Sequence, residues 1–411
     1  MRILILSIFI LTTAFGFFLK YLTFSRRNDP LPENVRDVFD EEAYKKNQAY
    51  GMDKLKYSII TGLIGMAVSL LFLLMNFHHT LFMLISRYTN NLYFTSFFIL
   101  LVPILIGSIV GRLMEIYNTF VIEAQYGFNK TTPATFILDF LKMQLLYVVI
   151  ISGLLTVFLL LHDRIGNWVF PAFFFVLLII RVFAAFISPL LIRIIYKLTP
   201  LEDGELKEKI EALANKTGYK LKGIYMVNAS KRSTKLNAFA SGFGKTKTIG
   251  LFDTLVDKMT SDEIVAILGH EIGHAKKHHI LKSTPLSLLE FGLVLIAAYF
   301  IITMPEVSQA FGFADTNLAF GIYIMFILVS PLMLVLQIPS NALSRKYEYE
   351  ADAFEAEHSG SIVSISAIKK IYRESFGNLT PHPFVVMMEY SHPTLTQRVA
   401  AFEQRNDCKE V

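Results

Sequence analysis

The chain is 411 residues long, is 53% hydrophobic and has a net charge of +5. Its mean hydropathy of +0.47 is higher than expected for a soluble globular domain. The modest net charge, without a basic stripe on a polar segment, argues against a nucleic-acid-binding protein. The single cysteine, Cys408, excludes an intrachain disulfide and a cysteine-based zinc site.

Long apolar runs alternate with charged blocks, which is typical of a multipass membrane protein. A helix of about 20 residues suffices to cross a bilayer. The first apolar run has only Arg2 before it and no clear cleavage site, so we predict a retained span rather than a signal peptide. Seven spans are predicted, at 3–19, 58–77, 94–112, 141–161, 167–195, 284–304 and 318–338.

The loops between these spans differ in charge. The stretch 20–57 carries eight Lys and Arg residues, whereas loops 78–93 and 162–166 hold one arginine each and loop 305–317 holds none. Positively charged loops stay on the cytoplasmic side of a membrane. The sequence therefore predicts that both polar blocks, 198–283 and 340–411, are cytoplasmic and that the N-terminus lies outside.

Four ionisable residues fall within or close to the predicted spans, namely Arg112, Asp139, Arg181 and Glu290. Charged groups are costly in lipid, so we expect them to face a wet cavity or each other. Residues near a span end could instead extend to the interface, but Arg181 and Glu290 lie deepest. This feature is also the best support for a different class of protein, a seven-span transporter or receptor.

Residues 270–274 read HEIGH, which places two histidines four residues apart. Thr260 and Glu263 form a capping-box pattern before them and predict a helix. On a helix His270 and His274 share one face, and Glu271 lies beside them. A zinc ion held by the histidines would lower the pKa of a bound water toward ~7, and Glu271 could accept the proton. The alternative is a helix with surface histidines, since His278 and His279 could continue a polar face.

A catalytic zinc needs a third protein ligand. The segment 344–360 reads as an acidic helix that ends at Gly360, and Glu348, Asp352 and Glu355 share one of its faces. Glu348 could ligate the ion while Asp352 accepts a hydrogen bond from a ligand histidine. A solvated acidic helix is the alternative. Two predicted spans separate the segments, so the chain returns to the same side and can bring the two helices together.

Further motifs extend this pattern over nearly the whole chain. With them the sequence resembles the type I CAAX prenyl endopeptidases, a family of integral-membrane zinc metalloproteases. Together with HEIGH, the motifs that carry the resemblance are QAYGMDK (48–54), FVIEAQYGFNK (120–130), TPLEDGELKEKIEAL (199–213), SKRSTKLNAFASGFGKTKTIGLFDTL (230–255), EYEADAF (348–354) and YSHPTLTQR (390–398).

The resemblance implies a mainly α-helical membrane protein. Seven transmembrane helices would form a barrel around a chamber, and a zinc metalloprotease domain with a small β-sheet would cap it on the cytoplasmic side. One Zn²⁺ per chain, a lipidated peptide or protein substrate and membrane lipid would be its partners, without nucleic acid. The membrane would be the endoplasmic reticulum in a eukaryote and the plasma membrane in a prokaryote.

The resemblance also assigns residues. It implies His270, His274 and Glu348 as zinc ligands, Glu271 as the base, Asp352 as the hydrogen-bond partner of a ligand, His392 as the stabiliser of the oxyanion, Asn237 and Ala238 as the substrate-binding edge strand, and Arg398 as a residue that orients the cluster. A peptide can extend such an edge by β-addition. Alternatively, His392 could cap a helix and Asn237 could serve a turn.

We therefore predict four regions. Residues 1–197 hold spans one to five with their cytoplasmic loops, 198–283 the cytoplasmic metalloprotease segment with the HExxH helix, 284–339 spans six and seven, and 340–411 the cytoplasmic segment with the third ligand. The predicted function is an integral-membrane zinc metalloendopeptidase that cleaves near the C-terminus of prenylated or otherwise membrane-associated peptides. A quality-control protease with broad membrane-protein clients is the alternative within the same class.

Overall fold

The computed structural model describes residues 1–241 and 247–405, apart from the side chains of 181, 182, 184–191, 193 and 241. Cys408 lies outside the described residues. The α-helices within them are α1 Arg2–Ser25, α2 Glu41–Leu74, α3 Phe77–Ser86, α4 Leu92–Tyr117, α5 Pro133–Ile165, α6 Val169–Ile195, α7 Glu205–Thr217, α8 Asp253–Lys258, α9 Ser261–Lys276, α10 His279–Thr303, α11 Pro305–Gln309, α12 Leu318–Leu328, α13 Ser330–Ser359, α14 Ser361–Ser375, α15 Pro383–Glu389 and α16 Leu395–Glu403.

Apolar helices form the membrane part of the molecule. Five helical runs among the described residues are long and apolar enough to cross a bilayer: Arg2–Ser25, Glu41–Leu74, Leu92–Glu123, Pro133–Ile180 and His279–Thr303. A sixth is obtained if α12 and α13, which are bent by 51° relative to each other, are taken as one broken span. The structure thus gives five to six spans, and the predicted count of seven is not reproduced.

The difference in count has two physical origins. The predicted spans 141–161 and 167–195 fall on α5 and α6, which only the short 3₁₀ helix Gly166–Trp168 separates, so they form one long apolar run. The predicted span 318–338 is not straight, because α12 ends at Leu328 and α13 begins at Ser330 in a new direction. The predicted gap at 162–166 agrees with the end of α5 at Ile165, whereas local hydropathy does not detect the bend between α12 and α13.

Among the described residues, the polar part of the chain contains a four-stranded sheet. Its strands are β1 Leu198–Pro200, β2 Gly223–Val227, β3 Ala238–Ser241 and β4 Thr248–Phe252, arranged in the order β1-β2-β4-β3. β2 and β4 are parallel, and the two outer pairs are antiparallel. β3 is therefore an edge strand, as the resemblance implied for Asn237 and Ala238, but it begins at Ala238, one residue after Asn237.

Two glycines of α9 allow α13 to approach closely. A Cβ atom at Gly273 would lie 3.2 Å from Cα of Ala351, and one at Gly269 would lie 3.5 Å from Cα of Glu355. The missing side chains thus let the backbones meet. This contact joins the two polar segments that α10 and α12 separate in the chain.

Three of the four ionisable residues in or near the spans have polar or aromatic partners. Asp139 accepts two hydrogen bonds from Arg232, at 2.7 and 2.9 Å, and Glu290 accepts one from Ser340. The guanidinium of Arg112 lies over the ring of Phe136 at 4.5 Å. The expectation for Arg181 concerns a side chain outside the described residues. Asp139 and Glu290 therefore have polar partners within the protein, as a charge in a span requires.

Candidate metal centre

Helix α9 begins with the predicted capping box. The hydroxyl of Thr260 accepts a hydrogen bond from the backbone N–H of Glu263 at 3.2 Å, and the Glu263 carboxylate accepts one from the backbone N–H of Thr260 at 2.9 Å. A proline often limits a helix, and Pro285 would predict the end of this one, but it lies inside α10. The break occurs earlier, at His278, whose left-handed φ of 57° separates α9 from α10.

Three side chains converge between α9 and α13. Nε2 of His270 and Nε2 of His274 are 3.1 Å apart. Oε2 of Glu348 lies 3.2 Å from the first nitrogen, and Oε1 of Glu348 lies 3.3 Å from the second. The structure thus brings together the three residues that the sequence proposed as ligands.

These spacings fit a tetrahedral divalent ion. Zinc binds nitrogen and oxygen ligands at about 2.0–2.2 Å, which places neighbouring ligand atoms of a tetrahedron about 3.3–3.6 Å apart. The two nitrogens are 3.1 Å apart, and each lies 3.2–3.3 Å from a different oxygen of the Glu348 carboxylate, which is close to that edge length. Oε2 of Glu348 is also buried and has no hydrogen-bond partner within the described part of the chain. A bound cation would supply the interaction that a buried carboxylate oxygen needs.

Asp352 lies behind His270. Its Oδ1 is 2.9 Å from Nδ1 of His270, and its carboxylate accepts two hydrogen bonds from Arg398, one of them from Nε at 2.9 Å. Glu355, which the sequence placed on the same face without a role, has Oε2 3.6 Å from Nδ1 of His270. His270, Asp352 and Glu355 form a second geometric group for a metal. The guanidinium of Arg398 beside Asp352 makes that group less suitable for another cation.

The surroundings of His270 are strongly negative. Burial alone lowers the pKa of its imidazole, but Asp352, Glu348 and Glu355 outweigh this effect and raise the pKa well above its ordinary value. The raised pKa shows that the site favours positive charge at this point. The same potential favours a divalent cation between the two histidines.

His392 approaches the same carboxylate from the loop before α16. Its Nε2 lies 3.3 Å from Oε1 of Glu348, and its side chain is 60% exposed. It is not a helix cap, because Thr394 caps α16 with its own capping box. Arg345 holds this region by donating hydrogen bonds to the backbone oxygens of Val386 and Tyr390. His392 is thus an exposed side chain beside the carboxylate of Glu348.

Glu271 is half-buried and lies on α9 between the two histidines. The predicted substrate strand runs beside this helix, since β3 packs against α9. Asn237 is exposed just before β3, and its backbone oxygen accepts a hydrogen bond from Phe252 of β4 at 3.2 Å. Backbone groups alternate in direction along a strand, so Ala238 presents its N–H and C=O on the side away from β4. Among the described residues, no strand pairs with that edge.

The structure contains a second polar cluster, around Glu123, that the separate motifs did not predict. Glu123 is 2.9 Å from Nζ of Lys54 and 3.1 Å from Nζ of Lys235, and it accepts a hydrogen bond from the hydroxyl of Tyr50. Nζ of Lys235 also donates to that hydroxyl at 2.8 Å. The motifs at 48–54, 120–130 and 230–255 therefore meet in one network. The signal in the sequence was that the three motifs carry complementary charges, at Lys54, Glu123 and Lys235, to which no role had been given.

Comparisons with known proteins agree with this arrangement. The family model described as the CAAX prenyl protease N-terminal region with five membrane helices matches residues 20–195, and the model of peptidase family M48 matches residues 200–406. The chain is 29% identical to CAAX prenyl protease 1 of Saccharomyces cerevisiae, over 97% of this chain and 94% of that protein.

A further sequence relative and a solved structure are similar to this chain over almost its whole length. A CAAX prenyl protease 1 homolog of Oryza sativa is 30% identical over 92% of both chains. The crystal structure of S. mikatae Ste24p superposes with a TM-score of 0.91 at 28% identity and covers 98% of this chain and 99% of that one. Both similarities span the membrane helices and the polar segments together.

Proposed function

Because the chain belongs to peptidase family M48 and carries the CAAX prenyl protease N-terminal region, we propose that it cleaves prenylated peptides near their C-terminus at the His270–His274–Glu348 site. The chain is an integral-membrane metalloendopeptidase, and its family uses a divalent metal, generally zinc. The proposed substrate class comes from the CAAX relatives, whose similarity covers almost the whole chain. A seven-span transporter or receptor with a non-catalytic domain does not agree with membership of a peptidase family.

Three residues would hold one zinc ion per chain, namely His270, His274 and Glu348. A bound zinc ion supplies Lewis acidity, which acidifies water and polarises a carbonyl group. Glu271 would accept the proton from water as the water attacks the scissile carbonyl, and would then deliver it to the leaving amine. Asp352, held by Arg398, would fix the ring of His270 through Nδ1.

The oxyanion and the substrate backbone require separate groups. His392, which is exposed next to Glu348, would donate a hydrogen bond to the oxygen that becomes negative during the attack. Asn237 and Ala238 would bind the peptide as an added strand at the edge of β3. The peptide would then lie along α9, the helix that carries Glu271.

A chamber formed by the membrane helices would accept the lipid part of the substrate. We propose the seven crossings predicted from the sequence, with α5 and α6 as separate spans and α12 and the start of α13 as one bent span. The contact of the Phe158 ring in α5 with the Phe170 ring in α6, at 5.6 Å between centroids, supports a hairpin there. The charge of the loops supports a cytoplasmic position for 198–283 and 340–411, at the endoplasmic reticulum in a eukaryote or the plasma membrane in a prokaryote.

The observation that carries the proposal is the convergence of two imidazole nitrogens and one carboxylate at 3.1–3.3 Å between segments that α10 and α12 separate. The test is incubation of the purified protein with a prenylated C-terminal peptide, with and without a chelator, followed by mass spectrometry. We expect chelator-sensitive cleavage. Absence of cleavage by zinc-loaded protein would contradict the proposal.

A quality-control protease with broad clients would use the same chemistry. The two functions differ in their need for the lipid, so the same peptide is assayed with and without its prenyl group. Preference for the prenylated peptide supports the first function. Equal cleavage of both peptides, together with cleavage of an unfolded membrane protein, supports the second.

A further inference from the structure

His279 contacts the side of the His274 ring that faces away from the proposed metal. Nδ1 of His279 is 2.9 Å from Nδ1 of His274, while Nε2 of His274 lies 3.1 Å from Nε2 of His270. His279 is only 4% exposed. A buried imidazole without a role in the mechanism above therefore touches the second ring nitrogen of a proposed ligand.

The backbone is strained where it brings these two rings together. On a continuous α-helix, residues five apart point about 140° away from each other, because each residue turns the chain by about 100°. His278, between α9 and α10, instead adopts φ 57° and ψ 38°, a left-handed conformation that costs a residue with a Cβ atom about 1–3 kcal/mol. Such strain persists only where the surrounding structure maintains it.

The other side of His279 contacts α13, the helix that carries Glu348. Nε2 of His279 lies 3.2 Å from Oε2 of Glu350. Its ring stacks on Tyr347, with 4.4 Å between ring centroids and an interplanar angle of 7°. His279 is thus held by both a carboxylate and an aromatic face.

We propose that His279 and Glu350 position His274 as a metal ligand; this inference rests on the metal centre proposed above. A neutral imidazole whose Nε2 is free to bind a metal carries its proton on Nδ1. That proton is donated to Nδ1 of His279, and the proton on Nε2 of His279 is donated to Glu350. The chain of two hydrogen bonds fixes the tautomer and the orientation of the His274 ring.

The arrangement gives both ligand histidines a carboxylate support. His270 contacts Asp352 directly at 2.9 Å, whereas His274 reaches Glu350 through the ring of His279. Lys282 lies 4.0 Å from the same Glu350 oxygen and keeps that carboxylate paired at the partly exposed end. The two supports enter from opposite ends of the ligand pair along α9.

The test separates hydrogen bonding from packing. His279→Phe keeps an aromatic ring against Tyr347 but cannot accept the His274 proton. His279→Gln has an oxygen that can accept this proton and an N–H that can donate to Glu350. We expect zinc affinity, measured by competition with a chromophoric chelator, to fall about 10–100-fold in His279→Phe and to stay near wild type in His279→Gln. The visible spectrum of the Co²⁺-loaded protein should change in the Phe variant only.

Controls separate this inference from the proposed function. His278→Asn should bind zinc like the wild type, because asparagine tolerates the left-handed conformation. If His279→Phe does not fold, Glu350→Ala is used, and a zinc affinity equal to wild type would overturn the proposal. Equal affinity of folded His279→Phe and wild type would also overturn it. A wild-type protein that binds no zinc would instead refute the metal centre itself.

Discussion

Arg398 of α16 and Asp352 of α13 form a two-point ion pair on the Nδ1 side of His270. Both side chains are buried, with 13% and 3% of their surface exposed. Arg398 thus neutralises a carboxylate that also contacts a proposed ligand. The ion pair connects the last helix of the described chain to the centre of the site.

Replacing Arg398 is expected to destabilise the fold. Arg398→Met leaves the Asp352 carboxylate buried without its cation, and breaking a buried pair from one side typically costs about 3–5 kcal/mol. Arg398→Lys should cost less, because it keeps the charge but loses the two-point geometry. Thermal unfolding in detergent measures both. Lys45→Met, which breaks an exposed pair with Glu41, is the control and should change little. A transition temperature of Arg398→Met equal to that of the wild type would contradict this stabilising role of Arg398.

Glu271→Gln should separate metal binding from catalysis. The substitution keeps the size of the side chain but removes the base, so we expect the rate of peptide cleavage to fall about 10²–10⁴-fold. Zinc content, measured by elemental analysis, should stay at one ion per chain. Glu348→Ala is the matched comparison and should lose the zinc as well. Wild-type turnover in Glu271→Gln would exclude Glu271 as the base.

Ala238→Pro should weaken binding of the substrate without disturbing the sheet. The N–H of Ala238 faces away from β4, and proline is tolerated on the free side of an edge strand. Loss of one backbone hydrogen bond to the peptide costs about 0.5–1.5 kcal/mol, which corresponds to a KM about two- to tenfold higher. Ala238→Ser keeps the N–H and should behave like the wild type. An unchanged KM in the proline variant would exclude strand addition at this position.

Glu263 should make stability depend on pH. Burial raises the pKa of its carboxyl, but hydrogen bonds from Thr260, Ser366 and Lys370 outweigh burial and hold the pKa below its ordinary value of 4.5. The depressed pKa means that the folded state favours the charged form. The contribution to stability is therefore present above pH 4.5 and is lost as the pH falls through the lower, folded-state pKa.

The corresponding variant is Glu263→Gln. At pH 7 we expect a transition temperature lower by a few degrees, in line with roughly 1 kcal/mol for a partly exposed pair. The difference in transition temperature between Glu263→Gln and the wild type should shrink as the pH falls below 4.5, the ordinary pKa of a glutamate carboxyl. Glu41→Gln, at an exposed position, is the control. A difference between Glu263→Gln and wild type that is constant with pH would contradict the assignment.

The sequence predicted the chemistry of the site better than the shape of the membrane part. HEIGH and the acidic face of 344–360 contain the ligand geometry locally, because residues four apart on a helix share a face. The end of α13 at Ser359, next to Gly360, was also predicted. The number of spans was not predicted correctly, because the bend between α12 and α13 depends on packing between distant helices.

The contact of His279 with His274 was also not predictable from the spacing of the two residues in the sequence. His279 seemed to continue a polar helical face, and only the left-handed backbone at His278 turns it back toward the site. Likewise Glu350 lies outside the acidic face of Glu348, Asp352 and Glu355, so the reasoning on that face did not predict its contact with His279. Helical periodicity assumes an unbroken helix and does not apply across such a turn.

The order of the ligands along the chain has a consequence for biosynthesis. His270 and His274 leave the ribosome before α10 and α12, whereas Glu348 follows them. A nascent chain that stops short of α13 holds only two of the three proposed ligands, and its Gly269 and Gly273 have no helix to pack against. With the proposed ligand set, we therefore expect proteolytic activity to arise only after the later hydrophobic segments have been synthesised.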